Sequence, residues 1–222
     1  LRRDDLIVKD VEPEILRRGL DAHQAWKIGR AADVSAASRA SIEVTTATRA
    51  ASLPKFTEVE EVPVTIVSSG NELPRPGGVR FGSLVHALLA DVPFVDEGTA
   101  VLQKLCEAHG RILGATDEEV QAASSLVRAV LAHPILQAAG HAEREGQCFR
   151  ETPVTYRLDS GTIVEGYVDL AFRDGASMVV VDFKTDRELD GALERYERQV
   201  SLYGAAIGRT AGLPTQAFLM RL

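Results

Sequence analysis

From Val179 to Asp186 the chain reads VVVDFKTD. Three consecutive valines read as a buried strand, because β-branched side chains pack well on a pleated surface. A carboxylate and an ammonium follow at once, and burying either without a partner is expensive. Successive side chains of a strand point to opposite faces, so Val179, Val181 and Phe183 share one face and Val180, Asp182 and Lys184 the other. The first face is core. The second carries an acid and a base side by side out of a hydrophobic sheet. Such a pair is either an ion pair at a strand end or half of an active site.

The flanking sequence supplies a sheet for this strand. ETPVTYRLDSGTIVEGYVDLAF alternates on both sides of a turn at Asp159-Ser160-Gly161, which predicts a hairpin. A further turn at Asp174-Gly175 leads into the valine strand. LDGALERYERQVSLYGAAIGRTAG predicts an amphipathic helix with Leu193, Tyr196, Val200, Tyr203 and Ile207 inward, ending between Gly208 and Pro214. TQAFLMRL reads as a closing strand.

Upstream, GVRFGSLVHALLADVP predicts a helix with Val79, Leu84, Val85, Leu88 and Leu89 on its apolar face. In GATDEEVQAASSLVRAVLAHP, Thr116 and Glu119 form a capping box ahead of a Val120, Ala123, Val127, Leu131 stripe. The first part of the chain predicts a helix from Pro13 to about Ala40 with Trp26 packed, then strand-like runs in SIEVTTATRA and EVPVTIVSS. A Pro/Gly-rich linker is expected near residues 68–78. The order of helices, three strands, a helix and a strand is α/β. It divides the chain into an N-terminal helical segment with its linker, 1–77, and a main domain, 78–222.

The 222 residues carry a net charge of −7, with +2 over residues 1–55 and −9 beyond. This balance lacks the positive stripe of a basic nucleic-acid binder, although clustered carboxylates suit metal ions. Two cysteines, Cys106 and Cys148, are too few for a disulfide framework or for a four-thiolate iron–sulfur cluster. Two free thiols suggest a cytoplasmic protein. No apolar run approaches membrane-spanning length, so no membrane partner is expected. A first residue of Leu1 suggests a piece of something longer.

Asp169 sits in EGYVDLAF, on the strand before the valine strand. Neighbouring strands lie about 4.8 Å apart, so Asp169 and Asp182 are expected to face each other across the ladder. Two carboxylates that close repel unless a proton or cation lies between them, and a hard divalent ion is the natural solution. Lys184, one pleat on, would hold a water or phosphate oxygen beside that ion. A polarised phosphoryl oxygen with an ammonium alongside is hydrolytic phosphodiester chemistry. Gln199 and Tyr203, four apart, share a face of the next helix. His86 interrupts the apolar stripe of FGSLVHALL and offers a nitrogen ligand.

The ordered set GVRFGSLVH, EGYVDLAF, VVVDFKTD and QVSLY resembles the nuclease domain at the C-terminal end of RecB- and AddA-type, UvrD-like helicase-nucleases, within the PD-(D/E)xK superfamily. The resemblance covers roughly residues 78–222. It implies a restriction-endonuclease-like core, a central mixed sheet flanked by helices, here with extra N-terminal helices. By position it implies that His86, Asp169 and Asp182 bind Mg²⁺ or Mn²⁺ and that Lys184 assists the nucleophile. Gln199 and Tyr203 match the family's QxxxY, near the active site and the DNA. Glu151 matches a glutamate often seen on the first core strand, its role left open. The iron–sulfur cluster of many relatives is not expected here.

The implied function is a metal-dependent deoxyribonuclease, exo- or endonucleolytic, within a larger ATP-dependent helicase-nuclease that processes DNA breaks for recombinational repair. Its implied partners are single-stranded DNA delivered by a helicase, upstream helicase domains of the same chain, and a second helicase-nuclease subunit. The alternative is a catalytically inactive nuclease-fold module that binds DNA or a partner subunit. Inactive relatives usually lose the Asp or the Lys, and both are present. A nucleotide-binding domain fails for want of a Gly-rich phosphate loop. His23, His109, His133 and His141 are expected at the surface or in caps, and the cysteines as small core fillers.

Overall fold

The valine strand lies in the middle of a mixed sheet, where both of its faces are covered. The structure is a computed structural model that describes residues 12–52, 62–70, 75–95, 98–185 and 191–222. The expected linker near 68–78 lies partly outside these residues. The chain forms two compact units, Leu1–Glu43 and Val44–Leu222.

The first unit contains α1 (Pro13–Ala37), with Pro13 in its first turn, where a missing N–H costs nothing. None of its residues is buried. Trp26, expected to pack, is 59% exposed and stacks on His23 instead, with Arg30 over its ring. The reason is distribution: at 100° per residue Ile15, Leu16, Leu20, Trp26 and Ile28 spread over more than half the helix circumference and make no single apolar face.

The second unit runs β1 (Val44–Thr46), α2 (Ala47–Ala51), β2 (Val64–Ser68), α3 (Val79–Asp91), α4 (Gly98–Leu113), α5 (Asp117–Leu131), α6 (Pro134–Arg144), β3 (Cys148–Arg157), β4 (Ile163–Asp174), β5 (Ser177–Lys184), α7 (Leu193–Ala211) and β6 (Thr215–Arg221). The strands form one sheet in the order β1-β4-β5-β6-β2, with β3 on the far edge of β4. The two turns read from Gly161 and Gly175 make β3–β4 and β4–β5 antiparallel. Both glycines have positive φ, which any other side chain would resist. β5 and β6 are parallel and need a crossover, which α7 supplies. β2 then extends the sheet parallel to β6, and β1 pairs in parallel with the start of β4. Both of these strands precede residue 78.

The alternation of β5 divides the core as its sequence implies. Val179, Val181 and Phe183 join Phe81, Leu84 and Leu88 of α3 and the buried residues of α5 and α6 on one face. Val180 joins Ala47 and Ala50 of α2 and Leu202, Tyr203 and Ala206 of α7 on the other. Each fully buried leucine or phenylalanine contributes on the order of 2 kcal/mol of transfer free energy. Cys106 is a buried filler of the first cluster, as expected, and Cys148 packs at its margin. The capping box of α5 is complete, and the carboxylate of Glu119 also receives Arg80 from α3. His133 caps α6 through the Ile135 N–H.

Helices α4 and α6 lie between the stretches that periodicity identifies and are not expected from the sequence. Val79 is a further difference: it is 88% exposed at the first turn of α3, ahead of the point where the helix meets the sheet. Among the described residues no helix is long and apolar enough to cross a membrane.

Candidate active site

The sheet forks where the acidic residues lie. β3 holds one edge of β4 along nearly its whole length, so β5 and β1 share the other edge in succession. β5 pairs with residues 170–174 and β1 with residues 163–165, and residues 166–169 pair with neither. Asp169 and Asp182 would form the rung after Leu170↔Val181, but the ladder ends there. The N–H of Phe183, left without a strand partner, donates instead to Asp169 Oδ2 at 2.7 Å. The carboxylate thus bridges the two strands at the fork.

A local irregularity aims the neighbouring side chains. Val164 and Val168 enter the α7-side core, whereas Leu170 and Phe172 enter the α3-side core, although a regular strand would keep all four on one face. Across the ladder β3 turns over at the same level: Val154 and Tyr156 lie on the α7 side and Cys148 on the α3 side. Glu151, which would oppose Asp169, makes no ladder pair and has φ +44°. A left-handed glutamate costs on the order of 1–3 kcal/mol, so its surroundings must over-determine it. Arg150 does much of that work. Its guanidinium stacks on Phe94 at 3.6 Å, donates to the carbonyls of Ala90 and Val92, and pairs with Glu143.

From the other side, α3 brings His86. Its approach depends on Gly82, one turn earlier, where a Cβ would come within 2.9 Å of Thr185 Oγ1 at the end of β5. His86 Nδ1 then lies 3.6 Å from Asp169 Oδ1, and its ring meets the edge of Phe183. His86, Glu151 and Asp169 each offer a ligand atom, and all of these lie within 4.8 Å of one another.

Asp182 stands beside this group and is almost wholly buried, at 2% exposure. Lys184 Nζ is 2.5 Å from Asp182 Oδ2, at an angle poor for a hydrogen bond, so this oxygen has charge compensation but no well-directed donor. Burial, then the charge of Asp169, pushes the Asp182 carboxyl up to about 6, against the opposing pull of Lys184 and His86. Burial and Asp169 also raise Glu151, in part offset by His86. Burial works against the charged forms of His86 and Lys184, but the carboxylates outweigh it and both are raised, His86 chiefly by Asp169 and Lys184 chiefly by Asp182. A group of acids that resist ionising beside bases that resist losing a proton is a site short of positive charge.

Gln199 and Tyr203 close the α7 side, with Gln199 Nε2 donating to Tyr203 Oη at 3.0 Å. Burial raises the Tyr203 hydroxyl. Tyr203 packs close against β4 because residue 166 is glycine: a Cβ there would be 2.7 Å from Tyr203 Cε1 and 2.8 Å from Oη. Gly166→Ala is therefore expected to destabilise the fold by roughly 1–3 kcal/mol through overpacking and to push the Tyr203 ring off the sheet. Thermal unfolding and the Tyr203 ring resonances check it, and an unchanged melting temperature with unmoved resonances would refute it.

A cleft of about 450 Å³ opens beside these groups, lined by His86, Lys184, Arg195, Tyr196 and Gln199 among others. Arg198, close to Arg195 in the chain, turns to Glu194 and the Ala51 carbonyl. All six residues singled out in the sequence (His86, Asp169, Asp182, Lys184, Gln199 and Tyr203) thus lie in or beside one site. Glu151, whose role the sequence leaves open, joins His86 and Asp169. Gly82 and Gly166 belong to the site without being singled out in the sequence, although a glycine inside a helix or strand is itself a sign of close approach.

Two curated relatives from strains of Clostridium kluyveri, each described as a subunit of an ATP-dependent helicase/nuclease, are 26% identical over 68 residues. That stretch is 30% of this chain and 6% of the relatives, so the chain spans only a small part of their length. The model of the PD-(D/E)XK nuclease superfamily matches residues 65–222, which takes in β2 from its second residue, every later strand, and His86, Glu151, Asp169, Asp182 and Lys184, and the chain belongs to that superfamily.

Proposed function

We propose that the chain is the nuclease part of a helicase-nuclease, hydrolysing phosphodiester bonds of single-stranded DNA during break processing and recombinational repair. The observation that carries this reading is the His86, Glu151 and Asp169 group beside the buried Asp182–Lys184 pair, with His86 and Lys184 lining the cleft. Three carboxylates and one imidazole suit a hard divalent cation, and Asp182 Oδ2 has the Lys184 ammonium beside it but no well-directed donor. His86, Asp169 and Asp182, with Glu151, would hold Mg²⁺ or Mn²⁺. That ion supplies Lewis-acid activation of the scissile phosphate and lowers the pKa of water.

The chain's own groups do the rest. Lys184 presents an ammonium to a non-bridging phosphate oxygen or to the attacking water, which adds to phosphorus as the P–O ester bond breaks. Glu151, the solvent-exposed member of the group, would take the proton of the attacking water. Gln199 and Tyr203 position the strand along α7. The delivering helicase, the cytoplasm as location and a second subunit belong to this same reading.

The test is cleavage of end-labelled single-stranded DNA with Mg²⁺, Mn²⁺ or EDTA. Cleavage is expected with either metal and none with EDTA, and Mn²⁺ should act at lower concentration, since one nitrogen ligand shifts preference toward it. His86→Ala should raise the half-maximal metal concentration about tenfold while DNA binding changes little. Cleavage that persists in EDTA would remove the metal from this reading, whereas no cleavage with either ion while DNA still binds would favour the inactive binding module.

A further inference from the structure

Lys184 is a long, rotatable side chain, yet the nuclease reading requires its ammonium at one place. Asp182 alone does not define that place. The ion pair joins Nζ to a single oxygen at 2.5 Å, about which a lysine can swing, and a cation held by Asp182 would repel the ammonium. A second contact comes from α7. The ring of Tyr196 lies with its centroid 4.9 Å from Lys184 Nζ, within cation–π range, and Arg195 reaches the same ring at 5.1 Å. The Lys184 side chain is only 16% exposed, so this attraction acts largely out of water. Tyr196 stands one turn before Gln199 on the helix that lines the cleft. It also packs beside Leu193 against the Val200 and Leu219 cluster, which anchors its ring.

We propose that Tyr196 is a positioning residue of the site: its ring face is a seat that keeps the Lys184 ammonium turned into the cleft when Asp182 is engaged. The seat rests on the nuclease reading, because it is defined by what Lys184 must do there. A tyrosine in this position would otherwise be mere packing between α7 and the sheet. The two roles separate by substitution. Phenylalanine keeps the π face, whereas leucine keeps apolar bulk and loses it.

The experiment compares wild type, Tyr196→Phe, Tyr196→Leu and Lys184→Ala on a short single-stranded DNA with Mn²⁺, and records the proton shifts of the Lys184 methylene next to Nζ. Tyr196→Phe should cleave within about twofold of wild type. Tyr196→Leu should lower kcat about tenfold, equivalent to about 1.4 kcal/mol, with KM little changed. The ring should shift the Lys184 methylene protons upfield in wild type and Tyr196→Phe, and the shift should vanish in Tyr196→Leu. A Tyr196→Leu protein with wild-type kcat, or with the upfield shift retained, overturns the seat. So does equal loss in the Phe and Leu variants. Lys184→Ala tells this failure from that of the underlying reading: if it cleaves like wild type, the nuclease assignment of Lys184 is wrong, whereas if it is inactive and Tyr196→Leu is not, only the seat fails.

Discussion

Asp182→Ala is expected to lower metal-dependent cleavage by about 10³-fold or more and to leave the protein folded. The carboxylate lies on the fork of the sheet, buried, beside the His86, Glu151 and Asp169 group, with one oxygen lacking a directed donor. Its removal takes away the partner of Lys184 and, on the proposed reading, a ligand of the ion. Two stability effects then oppose each other. The protein loses a buried negative charge that burial and Asp169 disfavour, and it strands a largely buried ammonium. The fold is therefore expected to survive with a modest change in melting temperature. Cleavage and circular dichroism on the same preparation provide the check, with Asp182→Asn as the more conservative variant. Wild-type-like cleavage by a folded Asp182→Ala protein would remove Asp182 from the site.

In the absence of divalent ions, stability should fall as pH rises from about 4 to 7, and Mn²⁺ or Mg²⁺ should flatten that fall. Asp182 titrates from 3.8 when unfolded to about 6 when folded, so between these values the native state binds more protons than the unfolded one. Unfolding free energy then decreases with pH, by roughly 3 kcal/mol for this group at 1.36 kcal/mol per unit. Glu151, also raised, acts in the same direction, but it is exposed and its share is small. His86 is raised as well: the stability it contributes is complete below pH 6.5 and is lost as pH climbs through its folded value. All three groups thus favour the protonated site, and a cation is what would replace those protons. Melting temperatures in EDTA and in Mn²⁺ across pH 4 to 8 measure this. An EDTA profile that rises with pH through that range would contradict it.

The periodicities of the chain locate much of this architecture because they report burial directly. The β-branched run at 179–181 can satisfy both faces only inside a covered sheet, and α5 announces itself through a capping box and a stripe. Helix α1 shows the limit of the same reasoning, since helical composition made the helix while the scatter of its apolar residues left Trp26 exposed. Val79 shows it again: it has the right residue type and spacing but stands a turn before α3 reaches the core.

The sequence by itself determined which polar side chains stand where core residues are expected and on which elements they ride. Side-chain type, strand alternation and helical spacing are local properties, and they put Asp182 beside Lys184 and Gln199 beside Tyr203. Only the tertiary structure decided how the separate elements meet. The exchange of β5 for β1 along one edge of β4 opens the fork, and the paired reversal of β3 and β4 turns Glu151 toward Asp169. Gly82 and Gly166 set how closely α3 and α7 approach, and the ring of Tyr196 reaches the ammonium of Lys184 across the cleft. These are contacts between residues distant in the chain, and their energies depend on packing and burial that no local pattern encodes.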